Sequence, residues 1–302
     1  MTTNYSGAPG APAYPHALDL EVLEPRFEVL IDELSSQPFS AGALSKALAG
    51  GVSEAAAILR AIPIQEGRLL ERGIGIIADL NPDLVVLTQN LRLPVTKTAL
   101  ELVEKNDPKH FRSLTLDADT GGRKTYTPDL IIVNRKTKLA HVVDVKRSLG
   151  SYEVSRINEL KSRMLAAALV VPDLLYRDHH RLVAEEVRVV ILNAENQRTD
   201  IAGGVWPLSD LDHLVEVGGA GKAIGMLRER FHGRIDESWK LARNSIAGPK
   251  EPGGRGASAD IADAHGNEVC DSGAGSITEV HQPAGRGQVR VGFARIPGTG
   301  TG

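Results

Sequence analysis

Two runs of β-branched and other apolar residues, at 125–134 and 139–147, flank the polar tetrapeptide Arg135-Lys136-Thr137-Lys138 and predict a β-hairpin. A four-residue loop pairs Asn134 with Leu139, so that every cross-strand pair sums to 273 in residue number. Upstream the period is helical. Residues 17–61 read as helices broken at Phe39-Ser40-Ala41-Gly42 and Gly50-Gly51, with Ser53 as a cap. A further helix over 62–80 collects Ile62, Leu69, Leu70, Gly73, Ile76, Ile77 and Leu80 on one face. Residues 84–96 read as a strand or extended segment, 97–106 as a short helix, 111–117 as a strand and 119–122 as a turn. After the hairpin, Leu149-Gly150-Ser151 breaks the pattern. A helix capped by Ser151 is predicted over 152–171, stopped by Pro172, and a central strand over 186–193. Helices return across 207–246, the first capped by Ser209 or Asp210.

This order predicts an α/β domain over about 18–246, with a mixed central sheet and flanking helices. Within it, 17–61 is expected to be a helical appendage, used for packing or for dimerisation, and 62–246 the α/β domain with its C-terminal helices. Residues 1–16, rich in Gly, Pro, Ala and Thr, are expected to be disordered, as is 247–302, which holds thirteen of the 31 glycines. Apolar content of 42% and charged content of 24% are ordinary for a globular chain. The single cysteine, Cys270, excludes a disulfide framework and a cysteine-rich zinc site. No apolar run approaches about 18 residues and no leader pattern is present, so a cytoplasmic protein without a membrane partner is expected. A net charge of −3 carries no global signature of a nucleic-acid binder, yet residues 122–188 hold thirteen Lys and Arg against eight Asp and Glu.

The hairpin register adds chemistry. Asp129 is expected opposite Asp144, and Lys146, two residues on, shares that face while Val145 points away. Two carboxylates about 5 Å apart repel by roughly 3 kcal/mol at an effective dielectric near 20, which a bound cation would relieve. On the helix over 62–80, Glu66 falls near the centre of the apolar face and needs a cation or a donor, so a metal and an arginine partner both remain open. Glu71 points to the other side, and Glu101 and Glu104 lie off the apolar side of 97–106, where water solvates them. Lys161 falls on the inner side of the helix over 152–171, with Asn158 at its edge. Gly218-Gly219-Ala220-Gly221-Lys222-Ala223 fails as a phosphate loop, because Glu216 stands where its first glycine belongs and Ala223 replaces the metal-binding hydroxyl. His179-His180 lacks helical ligand spacing.

Pro128-Asp129 followed by Asp144-Val145-Lys146 resembles the paired motif of the PD-(D/E)XK nuclease superfamily, and the resemblance extends over about residues 62–195. It implies a restriction-endonuclease-like core of order α-β-β-β-α-β. It further implies that Asp129 and Asp144 bind Mg2+ or Mn2+ and that Lys146 activates the attacking water or stabilises charge on the phosphorane. Members of the family often add a helical glutamate to the metal site. Glu66 is the first candidate, and Glu71, with Gly67 four residues before it, is the alternative. Lys161, Arg147, Arg135 and Lys136 are the expected phosphate contacts. The implied activity is metal-dependent phosphodiester hydrolysis by an endonuclease acting on DNA, as a homodimer or within a larger DNA-processing complex. The alternative is a non-cleaving nucleic-acid-binding, structural or regulatory component built on the same fold.

Overall fold

The computed structural model describes residues 14–88, 91–106, 116, 124–247 and 289–296. In chain order these form β1 (His16–Ala17), α1 (Leu20–Ser35), α2 (Ala41–Leu48), α3 (Val52–Ala78), β2 (Leu84–Thr88), β3 (Leu93–Val95), α4 (Lys97–Lys105) and β4 (Lys124–Tyr126). The motif strands β5 (Leu130–Asn134) and β6 (Leu139–Lys146) follow, then α5 (Val154–Ala168), α6 (Val171–Asp178), β7 (Glu186–Asn193) and β8 (Val205–Pro207). A 3-10 turn at Leu208–Asp210 leads to α7 (Leu211–Val215), β9 (Val217–Gly218), α8 (Ala220–Ala247) and β10 (Arg290–Phe293).

The hairpin is the centre of a mixed sheet. β5 pairs antiparallel with β6 from Leu130↔Val143 to Asn134↔Leu139, the register that a four-residue loop requires. β2 adds antiparallel to β5, and β7 adds parallel to β6. β8 and β10 both pair parallel with β7, β8 along Ile191–Asn193 and β10 along Glu186–Val189. Alternation along β5 and β6 sends Leu130, Ile132, Val143 and Val145 into one core and Ile131, Val133, Ala140 and Val142 into another. α1, α2, α3 and α8 cover the first face; α5 and α6 cover the second. Each fully buried aliphatic side chain in these layers contributes about 1.5–3 kcal/mol against leaving it in water.

Asp19, Ser40 and Thr96 cap α1, α2 and α4 by accepting from backbone N–H groups two or three residues on. Ser53 is not a cap, since α3 begins at Val52, and α5 begins at Val154 after Glu153 rather than after Ser151. The expected boundary at residue 62 falls inside α3, which passes through Pro63. Packing outweighs the backbone hydrogen bond that proline removes, because Ile58 before it and Leu69 after it are buried in one core. That same core holds Leu23, Phe27 and Leu30 of α1, so the N-terminal helices share it with the sheet instead of forming an appendage. At Gly73 a Cβ would collide with Leu227 and come within 2.8 Å of Ile224, so glycine lets α3 lie against α8.

The tail expected to be disordered forms β10 at Arg290–Phe293, with Arg290 N donating to Glu185 O and Ala294 N to Val189 O. Residues 248–288 and 297–302 of that tail lie outside the described residues, as do residues 1–13 and nearly all of the strand and turn expected at 111–122. Among the described residues no helix is long and apolar enough to cross a membrane.

Candidate functional site

The motif residues meet where β5 begins and β6 ends. Asp129 stands one residue before the last ladder pair, Leu130↔Val143, and its N–H donates to Val143 O. Its carboxylate Oδ2 then accepts from Val145 N at 2.6 Å, so Asp129 lies alongside the end of β6 rather than in a regular pair with Asp144. Asp144 is buried. Its Oδ2 accepts from the Tyr126 hydroxyl at 2.9 Å, and its Oδ1 is in ionic contact with Lys146 Nζ. Both carboxylate oxygens of this buried side chain are thus engaged, one by a hydroxyl and one by an ammonium. Burial opposes the charge on Lys146, but Asp144 and Asp129 outweigh it and hold the ammonium above its ordinary range. Lys146 is therefore a cation at neutral pH, suited to stabilising negative charge rather than to taking a proton. Burial, and then the neighbouring Asp144, push the Asp129 carboxyl up.

Glu71 completes this electrostatic group. Burial first, then the charges of Asp129 and Asp144, push its carboxyl up to about 7 against the opposing pull of Lys146 and Arg68. Glu66, expected at the metal, turns elsewhere and is 1% exposed. Its Oε1 accepts from Arg228 Nε at 2.5 Å and lies 3.4 Å from His232 Nε2, while Arg147 Nε stands 3.9 Å from Oε2. Burial works against its charge, but His232 and Arg228 outweigh burial and hold the carboxyl below its ordinary range. The helical phase placed Glu66 inside correctly and misjudged which inside. α3 is packed against α1, α2 and α8 as well as against β2 and β6, so a glutamate off one buried face can lie on another.

The remaining expected contacts separate. Lys161 bonds Asp200 Oδ2 at 3.0 Å and stands 5.7 Å above the Phe293 ring, so its charge serves the α5–β10 packing. Arg135 and Lys136 are exposed in the hairpin loop, at the far end of the strands, roughly 15–20 Å from Asp129 and Asp144 at about 3.3 Å per residue. Only Arg147 of the four adjoins the cluster, directly after Lys146. Glu101 pairs along α4 with Lys97 and Lys105, and Glu104 is exposed. At the former phosphate-loop candidate, Gly219 N and Gly221 N both donate to the Asp212 carboxylate at 2.6 Å, so the chain's own anion caps the start of α8.

Glu71, Asp129 and Asp144 carry hard carboxyl oxygens of the kind that Mg2+ or Mn2+ prefers. Among the described residues no three His, Cys, Asp or Glu side chains are gathered closely enough to hold a metal in their present rotamers. A shared ion therefore requires these carboxylates to draw together. Tyr126, Arg228 and His232 escaped the sequence reading. Tyr126 stood next to the motif as a β-strand aromatic, and nothing local marked the two α8 residues, which lie more than 160 positions from Glu66. A surface concavity lined by Asp173, Tyr176, Arg177, Asp178, His180 and Arg181 lies at α6, away from this cluster. Comparison with protein-family models, with curated proteins and with solved structures finds no match for this chain.

Proposed function

We propose that the chain is a metal-dependent phosphodiester hydrolase of the PD-(D/E)XK kind, acting on DNA. The observation that carries this reading is Asp144, a buried carboxylate with one oxygen fixed by the Tyr126 hydroxyl and the other paired with the Lys146 ammonium, beside Asp129 at the same strand end. The mixed sheet, in which β2, β5 and β6 pair antiparallel and β7 joins β6 parallel, with α3 before it and α5 before β7, supports it by its agreement with the α-β-β-β-α-β order that the resemblance implies once β3, α4, β4 and α6 are set aside as insertions. Asp129, Asp144 and Glu71 would hold Mg2+ or Mn2+, which supplies polarisation of the phosphate and an acidified water. Tyr126 keeps Asp144 in one rotamer, and Val145 N does the same for Asp129. Lys146 keeps a positive charge where the pentavalent phosphorus becomes more negative, and a preorganised donor of this kind typically contributes a factor of about a hundred or more.

The test is cleavage of single- and double-stranded DNA and RNA with Mg2+ and with Mn2+, beside binding titrations. Lys146→Ala should keep salt-dependent binding and lose cleavage by about a hundredfold or more. A second reading, a nucleic-acid-binding or regulatory protein without hydrolysis, draws on the Lys146 ammonium already seated at Asp144 Oδ1 and on the ungathered carboxylates. Binding without cleavage by the wild type, unchanged in Lys146→Ala, would select it.

A further inference from the structure

Glu66 has more positive charge around it than one carboxylate needs. Arg228 alone would neutralise it at 2.5 Å, yet Arg147 stands at 3.9 Å and His232 at 3.4 Å. The negative partner is sealed, with its side chain 2% exposed, whereas the side chains of Arg147, Arg228 and His232 are 47%, 24% and 45% exposed. The donor heads of the two arginines and the imidazole thus open outward from a buried anchor. Arg228 is fixed further by donating from Nη1 to Ala194 O at 2.9 Å. A structural ion pair has no use for the surplus, but an incoming anion does, and heads already held in place lose little freedom when it binds.

The location narrows the anion. Arg147 directly follows Lys146, and Ala194 directly follows Asn193, the ladder partner of Lys146. The basic group therefore begins one residue, about 3.8 Å along the backbone, from the end of the acidic cluster. We propose that Arg147, Arg228 and His232, gathered on Glu66, form a phosphate subsite that grips the nucleic-acid backbone beside the phosphate held at Asp129, Asp144 and Lys146. The assignment of that neighbouring phosphate rests on the hydrolase reading; the binding of backbone phosphate does not. Glu66 then acts as a positioning residue for the subsite, which accounts for a buried carboxylate facing Arg228 and His232 of α8 rather than the aspartates.

The experiment uses the full chain in EDTA, so that binding is read without hydrolysis, with fluorescein-labelled single-stranded and duplex DNA at several salt concentrations. Arg147→Gln with His232→Gln leaves the Arg228–Glu66 pair in place. It should weaken DNA binding about five- to tenfold and lower the slope of log K against log salt by about one. Lys240→Gln, exposed further along α8, should leave both unchanged. Should the double change lower the melting temperature, Arg147→Gln alone repeats the measurement. An unchanged slope, or an equal loss from Lys240→Gln, overturns the subsite. A reduced slope in a protein that cuts no substrate would keep the subsite and remove the hydrolase reading; cleavage with an unreduced slope would do the reverse.

Discussion

Replacing Glu71 by glutamine should make the metal-free protein more stable at neutral pH and erase part of its pH dependence. In the wild type, burial and the charges of Asp129 and Asp144 push the Glu71 carboxyl up to about 7. A carboxyl whose folded pKa is raised stabilises the fold below its unfolded value, near 4.3, and loses that contribution as pH rises through the folded value. Between pH 5.5 and 7.5 the full linkage would be a little under about 2 kcal/mol. Glu71 is only half buried, and solvent screening brings the expectation to about 1 kcal/mol. For a domain of this size that is a melting-temperature difference of about 2–4 °C. The assay is thermal unfolding of wild type and Glu71→Gln in EDTA at both pH values, followed by addition of Mg2+. The wild type should melt lower at pH 7.5 relative to pH 5.5 than the variant does, and only the wild type should recover fully on adding the ion. Equal pH responses in the two proteins would show that Glu71 does not feel the aspartates, and the three-carboxylate site would fall with it.

Glu66→Gln should act through stability instead. Removing the buried anion beneath Arg228, His232 and Arg147 should cost about 2–3 kcal/mol, below the full value for a buried pair because the cations are partly solvated, and leave the Mg2+ response intact. A variant that melts like the wild type would refute this. Tyr126→Phe strips the donor from Asp144 Oδ2 and should lower the urea midpoint by an amount equivalent to about 1–3 kcal/mol, so an unmoved midpoint would put the hydroxyl's partner in question. Phe293→Ala removes the ring beneath Lys161, and a Cβ at Gly204 would come within 2.6 Å of that ring. A loss of about 1–2 kcal/mol is expected, with faster hydrogen exchange along β10 and β8, and unchanged exchange there would argue against β10 as a docked strand.

The hairpin was legible in the sequence by itself. Alternating β-branched residues and a four-residue loop determine register locally, and a slip of one residue would turn Leu130, Ile132, Val143 and Val145 out of their core. Helix α5 and the buried strand β7 followed from equally local patterns. The partners of charged side chains were not legible in this way. Whether Glu66 or Glu71 approaches the aspartates depends on how α3 is wedged between the sheet and α8, and a helix buried on more than one side has no single inner face for its period to reveal. Lys161 was directed to Asp200 by the loop between β7 and β8 and to Phe293 by a strand that comes after α8, and that strand, β10, spans four residues in glycine-rich sequence, too few for alternation to register. Even Asp129 left its expected pairing, because the free N–H of Val145 at the strand end offered its carboxylate a hydrogen bond. Backbone pairing is dictated by neighbours in sequence, whereas the destination of a buried charge is decided by whichever donors packing brings within about 3 Å of it.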